Sequence, residues 1–246
     1  MIIMQSLCIG CVIVRHICIG LFIVFLFSGC ASTTALTSTV QRKQLMLVSE
    51  NIWNHQAADA YQSTLKKAKN KKLLVSDAKL TAILSKLTPY TAGYNPAAAS
   101  WDWQINAQLN GNLNAHGFAG GKILLNTGLY WTLNLSEDEL AFVIAHEMAH
   151  ALRQHSREKI SASLSFGSLP SYLSEGVSQM WLHEREADII AMELMKQAGF
   201  NHQSAMTFWQ KLEHETRRRR AIHSNQPLMN ESFLKYRRES IEQYLV

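Results

Sequence analysis

Two histidines and a glutamate near the middle of the chain have a spacing that could bind and use a metal ion. Residues 146–150 read H-E-M-A-H. On a helix, side chains four residues apart face the same side, so His146 and His150 could both present a ring nitrogen to one ion. Glu147 would then lie beside the metal, placed to take a proton from a water molecule. Two histidines, a carboxylate and an open position are typical of a catalytic zinc site.

The residues before this motif predict a buried helix. Ser136 and Glu139 form a capping box, in which each side chain bonds the backbone N–H of the other residue. Residues 140–145 are apolar on nearly every face, which is typical of a helix inside a protein core. Ionisable side chains in such a helix cost free energy unless they have a partner. Metal ligation is therefore a better explanation of the motif than histidines that bond backbone groups.

The third metal ligand has to come from another part of the chain. Glu184 and Asp188 stand at the start of a second apolar helical segment and share one face, because they are four residues apart. We assign Glu184 to the metal and Asp188 to a ligating imidazole, which its carboxylate would orient. Without the upstream motif, a solvated and salt-bridged helix face would be the better explanation of these two residues.

The pattern of the whole chain predicts an α+β, mainly helical fold with a small antiparallel sheet packed on the metal-binding helix. Helical periodicity ends at Pro89 and resumes at Ser136. Between them, the alternation of apolar and polar residues predicts three short strands. These strands are Trp101–Asn106, Asn112–His116 and Lys122–Asn126, with a turn signal at residues 110–111.

The first thirty residues predict an export signal with a lipid-attachment site. A basic residue precedes an unbroken apolar run at residues 17–27, and small residues then lead to Cys30. This arrangement resembles a bacterial lipobox, in which the cysteine thiol receives diacylglycerol and becomes the new N-terminus. An uncleaved inner-membrane anchor is the alternative. We therefore expect a signal peptide at 1–29, a flexible tether at 30–44 and a folded domain at 45–246.

The cysteines and charges bear on the location and the partners of the chain. All four cysteines lie in the first thirty residues, so the mature domain would have no disulfide. Ala31 and Ser32 lack the aspartate associated with inner-membrane retention, which favours the periplasmic face of the outer membrane of a Gram-negative bacterium. The net charge is +5, but no basic and aromatic pattern indicates a nucleic acid partner. The lipid on Cys30 is the expected membrane contact, and the oligomeric state stays open.

The chain resembles the gluzincin peptidases related to HtpX and the CAAX prenyl protease, and among them the soluble periplasmic lipoprotein branch of LoiP, YcaL and BepA. The resemblance extends over residues 45–215 and rests on short matching segments. These segments are Asn114-Ala115, Gly120 to Ile123, Thr127 to Leu129, Ser136 to Leu140, His146 to His150 and Glu184 to Asp188. The resemblance implies one zinc ion per chain, with His146, His150 and Glu184 as ligands and Glu147 as the general base.

The resemblance also implies how a substrate would be held. The strand at residues 122–126 is similar to the edge strand that aligns an extended substrate beside the zinc, through backbone hydrogen bonds. Gly121, Ile123 and Leu125 are the candidate substrate-binding residues on this basis. An ordinary inner strand is the alternative explanation of the same pattern.

The function implied by the resemblance is hydrolysis of peptide bonds in misfolded or unfolded envelope proteins. Relatives carry a His-Pro segment and an arginine near the C-terminus, for which His223 and Arg238 are the candidates here to stabilise the oxyanion. A function of another class stays open, namely a chaperone or assembly factor with a latent or structural zinc site. Replacing Glu147 by glutamine would abolish the function of a peptidase and preserve that of a chaperone.

Overall fold

The computed structural model describes residues 42, 44–166, 176–222 and 231–246. Within these residues the protein is mainly helical and carries one four-stranded sheet. This confirms the α+β, mainly helical class that the sequence predicts. In the same residues, no helix is both long and apolar enough to cross a membrane.

Three of the sequence-based predictions fall elsewhere in the chain. The signal peptide at 1–29, the lipid-attachment site at Cys30 and the oxyanion candidate His223 lie outside the described residues. They stay predictions that rest on the sequence.

Along the described sequence, helices stand both before and after the strands of the sheet. The α-helices are α1 (Glu50–Asn70), α2 (Ala78–Leu87), α3 (Thr127–Thr132), α4 (Glu137–Leu152), α5 (His155–Phe166), α6 (Gly176–Gln197), α7 (Ser204–Ile222) and α8 (Glu231–Leu245). The strands are β1 (Leu74–Val75), β2 (Gln104–Gln108), β3 (Ala115–Phe118) and β4 (Lys122–Asn126). Two short 3-10 helices, Thr88–Gly93 and Pro96–Ser100, connect α2 to β2.

The sheet is mixed, so the prediction of an antiparallel sheet was wrong for one pair of strands. The strand order is β1-β2-β4-β3, in which β2 and β4 run parallel and the other two pairs run antiparallel. Asn110 and Gly111 do not form a hairpin turn. They cross the end of β4, where the Gly128 N–H donates to the Asn110 carbonyl oxygen at 2.8 Å. A Cβ on Gly128 would lie 2.4 Å from the carbonyl carbon of Gly111, so only glycine permits this crossing.

Helix α4 lies in the centre of the core and carries the H-E-x-x-H motif. Its predicted capping box is present, with Glu139 N–H donating to Ser136 Oγ at 3.2 Å and Ser136 N–H donating to Glu139 Oε2 at 2.7 Å. Phe142, Ile144 and Met148 are fully buried, and α4 packs most extensively against α6. Because these apolar side chains are buried in the core, they fix the rotation of α4, and the polar residues of the motif face the cavity beside it.

The folded part of the chain begins before the boundary at residue 45 that the sequence predicts. Arg42 forms ion pairs with Glu158 and Glu186. Gln44 is buried, and its Nε2 donates to Glu158 Oε2 at 2.7 Å. Residues 42 and 44 therefore belong to the folded domain rather than to the tether that we expected over residues 30–44.

Candidate metal centre

Three side chains from two helices converge on one point. His146 and His150 lie one turn apart on α4, and their Nε2 atoms are 3.0 Å from each other. The carboxylate oxygens of Glu184 on α6 lie 3.5 Å from His146 Nε2 and 3.4 Å from His150 Nε2. Ligand atoms about 2.0–2.1 Å from a tetrahedral zinc ion lie about 3.3–3.4 Å apart, so the donor set fits zinc. Within the described ranges, these residues form the one group of His, Cys, Asp or Glu arranged to hold a metal ion.

Asp188 fixes the orientation of the first of these histidines. Its Oδ1 lies 3.0 Å from His146 Nδ1, and its side chain is fully buried on α6, one turn after Glu184. Burial lowers the pKa of His146, but hydrogen bonds to Asp188 and Glu184 outweigh this and raise the pKa to about 9. With Nδ1 bonded to Asp188, the Nε2 atom of His146 is the one that points to the metal position.

Glu147 lies between the metal-binding helix and strand β3. The backbone N–H of Gly117 donates to its carboxylate. A Cβ on Gly117 would lie 2.9 Å from both the carbonyl oxygen and Oε2 of Glu147, so a glycine is required for this close approach. Burial raises the pKa of Glu147, and the nearby Glu184 adds to the effect, while His146 opposes it. A raised pKa suits a carboxylate that has to take up a proton.

These side chains open into a cavity of about 1310 Å³. Strand β3 lines one side of it, and α4 forms the floor. Apolar side chains line another part, and these are Leu129, Phe142, Phe208, Trp209, Leu212 and Phe233. The cavity exceeds the roughly 300–1,000 Å³ typical of small-molecule sites.

Comparison with known proteins agrees with this geometry. The model of Peptidase family M48 matches residues 75–182 of the chain. Over this stretch the chain is similar to peptidase family M48. The matched region contains His146, Glu147 and His150, and it ends just before Glu184.

Individual peptidases also match part of the chain. The mitochondrial metalloendopeptidase OMA1 of Schizosaccharomyces pombe is 32% identical over 130 residues, which cover 45% of this chain and 38% of the relative. The beta-barrel assembly-enhancing protease of Yersinia pestis is 28% identical over 136 residues, covering 44% and 28%. The mitochondrial metalloendopeptidase OMA1 of Bos taurus is 24% identical over 226 residues, covering 78% and 42%. The chain therefore spans less than half the length of each of these relatives.

Arg237 of α8 is a further charged residue of the candidate site, and the sequence-based prediction does not include it. Its Nη1 lies 2.6 Å from Glu184 Oε2, and its Nη2 lies 2.6 Å from Asp188 Oδ1. The guanidinium also stacks over Trp209, 4.3 Å from the ring centroid. Burial alone raises the pKa of Glu184, but the charge of Arg237 and the two histidines lower it well below its usual range. Arg237 thus keeps the Glu184 carboxylate ionised.

The sequence does contain a signal for Arg237, whereas we had named Arg238 as the candidate. Arg238 pairs with Glu213 at 3.1 Å and with Glu242 at 3.7 Å. Arg237 instead lies three residues after Leu234 and four before Ile241, and all three are buried. They share one face of α8. An arginine on the apolar face of a helix needs a buried partner of opposite charge.

The prediction that β4 is the edge strand of the sheet was wrong. It lies between β2 and β3, and Ile123 and Leu125 are completely buried. Gly121, at φ +82°, packs so closely on Trp103 that a Cβ would lie 2.8 Å from the indole ring. After β2 the chain crosses the end of β4, and β3 therefore pairs with the outer side of β4. This crossing is the physical reason that β4 is an inner strand. The edge strand beside Glu147 is therefore β3.

Proposed function

We propose that this protein is a zinc-dependent endopeptidase that cuts extended segments of misfolded or unfolded proteins in the envelope of a Gram-negative bacterium. The observation that supports this best is the convergence of His146, His150 and Glu184 next to Glu147. The match to the model of Peptidase family M48 supports the peptidase chemistry. The similarity to the beta-barrel assembly-enhancing protease supports an envelope role, and the similarity to the OMA1 metalloendopeptidases supports cleavage within protein chains.

Each residue of the site has a chemical role in the proposed reaction. A zinc ion held by His146, His150 and Glu184 would polarise the scissile carbonyl and acidify a water molecule. Glu147 takes the proton of the attacking water and delivers it to the leaving amine. Asp188 holds the His146 ring in the orientation that keeps Nε2 directed at the metal position.

The edge strand supports a preference for extended substrates. Strand β3 pairs with β4 on one side and carries Gly117, which contacts the Glu147 carboxylate. A peptide that added to the other side of β3 would be held by backbone hydrogen bonds and would place its carbonyl groups beside Glu147. Only an extended segment can bind in this way. Folded proteins would therefore be poor substrates, whereas unfolded ones would be cut with little dependence on sequence.

We further propose that a lipid on Cys30 holds the protein on the periplasmic face of the outer membrane. The support is the lipobox-like sequence and the small residues that follow it. Acyl labelling of the wild type against Cys30→Ala tests this point. Label on the wild type alone supports the anchor, and a wild type without label contradicts it.

The test of the peptidase is cleavage of an unfolded protein by the full chain in detergent. Wild type is compared with Glu147→Gln at matched zinc content, so that a loss of metal cannot explain a loss of activity. Cleavage by the wild type and none by the variant supports both the activity and the general base. If neither cuts while both hold zinc, the peptidase is wrong and a chaperone with a latent site is favoured.

A further inference from the structure

The second metal-binding histidine is connected by buried side chains to an arginine that precedes α1. His150 Nδ1 lies 2.9 Å from His155 Nδ1, and His155 Nε2 lies 3.0 Å from Glu186 Oε2. Arg42 Nε donates to the other oxygen of Glu186 at 2.7 Å. We propose that Arg42 and Glu186 act through His155 to position His150, so that the segment before α1 sets how tightly the metal is held. The inference rests on the proposed zinc site.

The position of the proton on each ring follows from ligation. His150 Nε2 lies 3.0 Å from His146 Nε2 and 3.4 Å from Glu184 Oε1, so this nitrogen faces the metal position and has no proton. Its Nδ1 then carries a hydrogen and donates to His155 Nδ1. His155 in turn carries its hydrogen on Nε2 and donates it to Glu186. With the hydrogen bonds donated in this one direction, His150, His155 and Glu186 all have a partner. The Glu186 carboxylate therefore orients His150 through the neutral imidazole of His155.

The backbone and a ring stack hold His155 in place. Helix α4 ends where Gln154 adopts a left-handed φ of +52°. This turn brings His155 back beside His150, five residues earlier in the chain. The His155 ring stacks on that of His183, with centroids 4.2 Å apart and planes 8° apart. Because His155 is buried and packed in this way, a change at Glu186 is passed to His150 rather than absorbed by ring rotation.

Arg42 joins Glu186 to a second buried carboxylate. Its guanidinium forms ion pairs with both Glu158 and Glu186, whose side chains are 4% and 9% exposed. Glu158 also accepts from Gln44 Nε2 at 2.7 Å and lies 3.1 Å from His183 Nε2. Two carboxylates this close repel each other when no cation lies between them. Arg42 therefore holds Glu186 in the position from which it bonds His155.

The two ligand histidines are thus supported in different ways. His146 bonds Asp188 directly, inside the core. The support of His150 ends at Arg42, which is 144 positions from Glu186 in the sequence and a quarter exposed. Arg153 Nε is a second cation near Glu186, but it is farther away, at 3.5 Å. Movement of the segment that carries Arg42 would therefore lower the metal affinity without abolishing metal binding.

The experiment measures the zinc affinity of the full chain by competition with a chromophoric chelator. His155→Ala removes both hydrogen bonds and is expected to weaken zinc binding about 10–100-fold. His155→Asn keeps an acceptor near the Nδ1 position and should recover part of this loss. Arg42→Gln should weaken binding about tenfold, and the cobalt(II) absorption spectrum of this variant should shift, because His150 is displaced.

A matched control and a double variant complete the test. Arg218→Gln removes a surface ion pair with Glu215 and should leave the zinc affinity unchanged. If Arg42 acts through His155, adding Arg42→Gln to His155→Ala causes no further loss of affinity. Losses that add up, or an Arg42→Gln affinity equal to that of wild type, overturn the inference. If His155→Ala does not fold, the comparison of Arg42→Gln with Arg218→Gln decides.

The same data separate this inference from the proposed function. A wild type that binds no zinc contradicts the proposed function, and it also contradicts the inference about the positioning of His150. A wild type that binds zinc, with all variants equal to it, contradicts only the role of Arg42 and His155.

Discussion

The guanidinium of Arg237 lies 2.6 Å from Glu184 and 2.6 Å from Asp188. One cation on α8 therefore contacts both carboxylates that α6 contributes to the site. Helix α8 begins at Glu231, far beyond residue 182, where the match to family M48 ends. The candidate metal site is thus completed by a helix outside the matched region, and the balance of its charges depends on the packing of that helix.

Replacing Arg237 by glutamine should destabilise the protein and abolish cleavage. The change takes the cation away from the fully buried Asp188 carboxylate and the partly buried Glu184 carboxylate, and breaking a buried pair costs about 3–5 kcal/mol. Arg237→Lys should restore little, since one ammonium group does not bridge both carboxylates as a guanidinium does. Urea unfolding and cleavage of an unfolded protein measure the two effects. Lys235→Gln is the control, because it removes an exposed ion pair with Glu239 on the same helix, worth about 0–1 kcal/mol. Equal effects of the two variants would contradict the role of Arg237.

Replacing Asp188 by asparagine should weaken zinc binding or activity about 10–100-fold. The amide still accepts a hydrogen bond from His146, but it no longer carries the charge that makes the ring a stronger ligand. Zinc affinity and the rate of cleavage are the quantities to measure. Asp138→Asn is the matched control, since Asp138 is only partly buried and accepts a hydrogen bond from the backbone N–H of Asn201. An Asp188→Asn variant with wild-type zinc affinity and activity contradicts the assignment.

Replacing Gly117 by alanine should abolish cleavage and preserve zinc binding. The new methyl group would lie 2.9 Å from Glu147 Oε2 and displace the carboxylate from its position. Overpacking of this kind also destabilises a protein, by about 1–3 kcal/mol. Gly93→Ala is the control, because nothing lies within 4 Å of a Cβ at that position. Full activity of Gly117→Ala at normal zinc content would show that Glu147 is not held by β3.

The ion pairs of Glu158 should make the stability of the protein depend on pH in the acid range. Burial alone raises the pKa of Glu158, but hydrogen bonds from Arg42, His183 and Gln44 lower it far below the ordinary value of 4.5. A lowered pKa in the folded state means that the stabilisation is complete above pH 4.5. It is lost as the pH falls toward the folded-state pKa.

Urea unfolding of wild type and Glu158→Gln between pH 3 and pH 7 tests this dependence. Glu158→Gln should be less stable than wild type at pH 7, by about 1–3 kcal/mol. The difference between the two proteins should shrink as the pH falls below 4.5, because Glu158 then takes up a proton in the unfolded wild type while it stays ionised in the folded one. Arg42→Gln should likewise reduce the dependence of the free energy of unfolding on pH below 4.5. A constant difference at all pH values would show that Glu158 does not supply this dependence.

Local patterns were enough to predict the features of the site that depend on one segment of the chain. The capping box at Ser136 and Glu139 is present, and β4 has the predicted limits, Lys122 to Asn126. The spacing of His146 and His150 places both side chains on one face of α4, because the helical period is a property of the backbone. The convergence of Glu184 with them was inferred from residue types and from the family resemblance.

The tertiary structure alone decided which segments meet. It placed β3 outside β4, so that β3 is the edge strand beside Glu147. It also brought Arg237 and Arg42, from opposite ends of the described chain, to the two ends of the metal site. Strand order and long-range ion pairs depend on which surfaces pack together, and local sequence patterns do not determine this packing. Periodicity therefore predicted the helix faces, whereas packing determined what each face contacts.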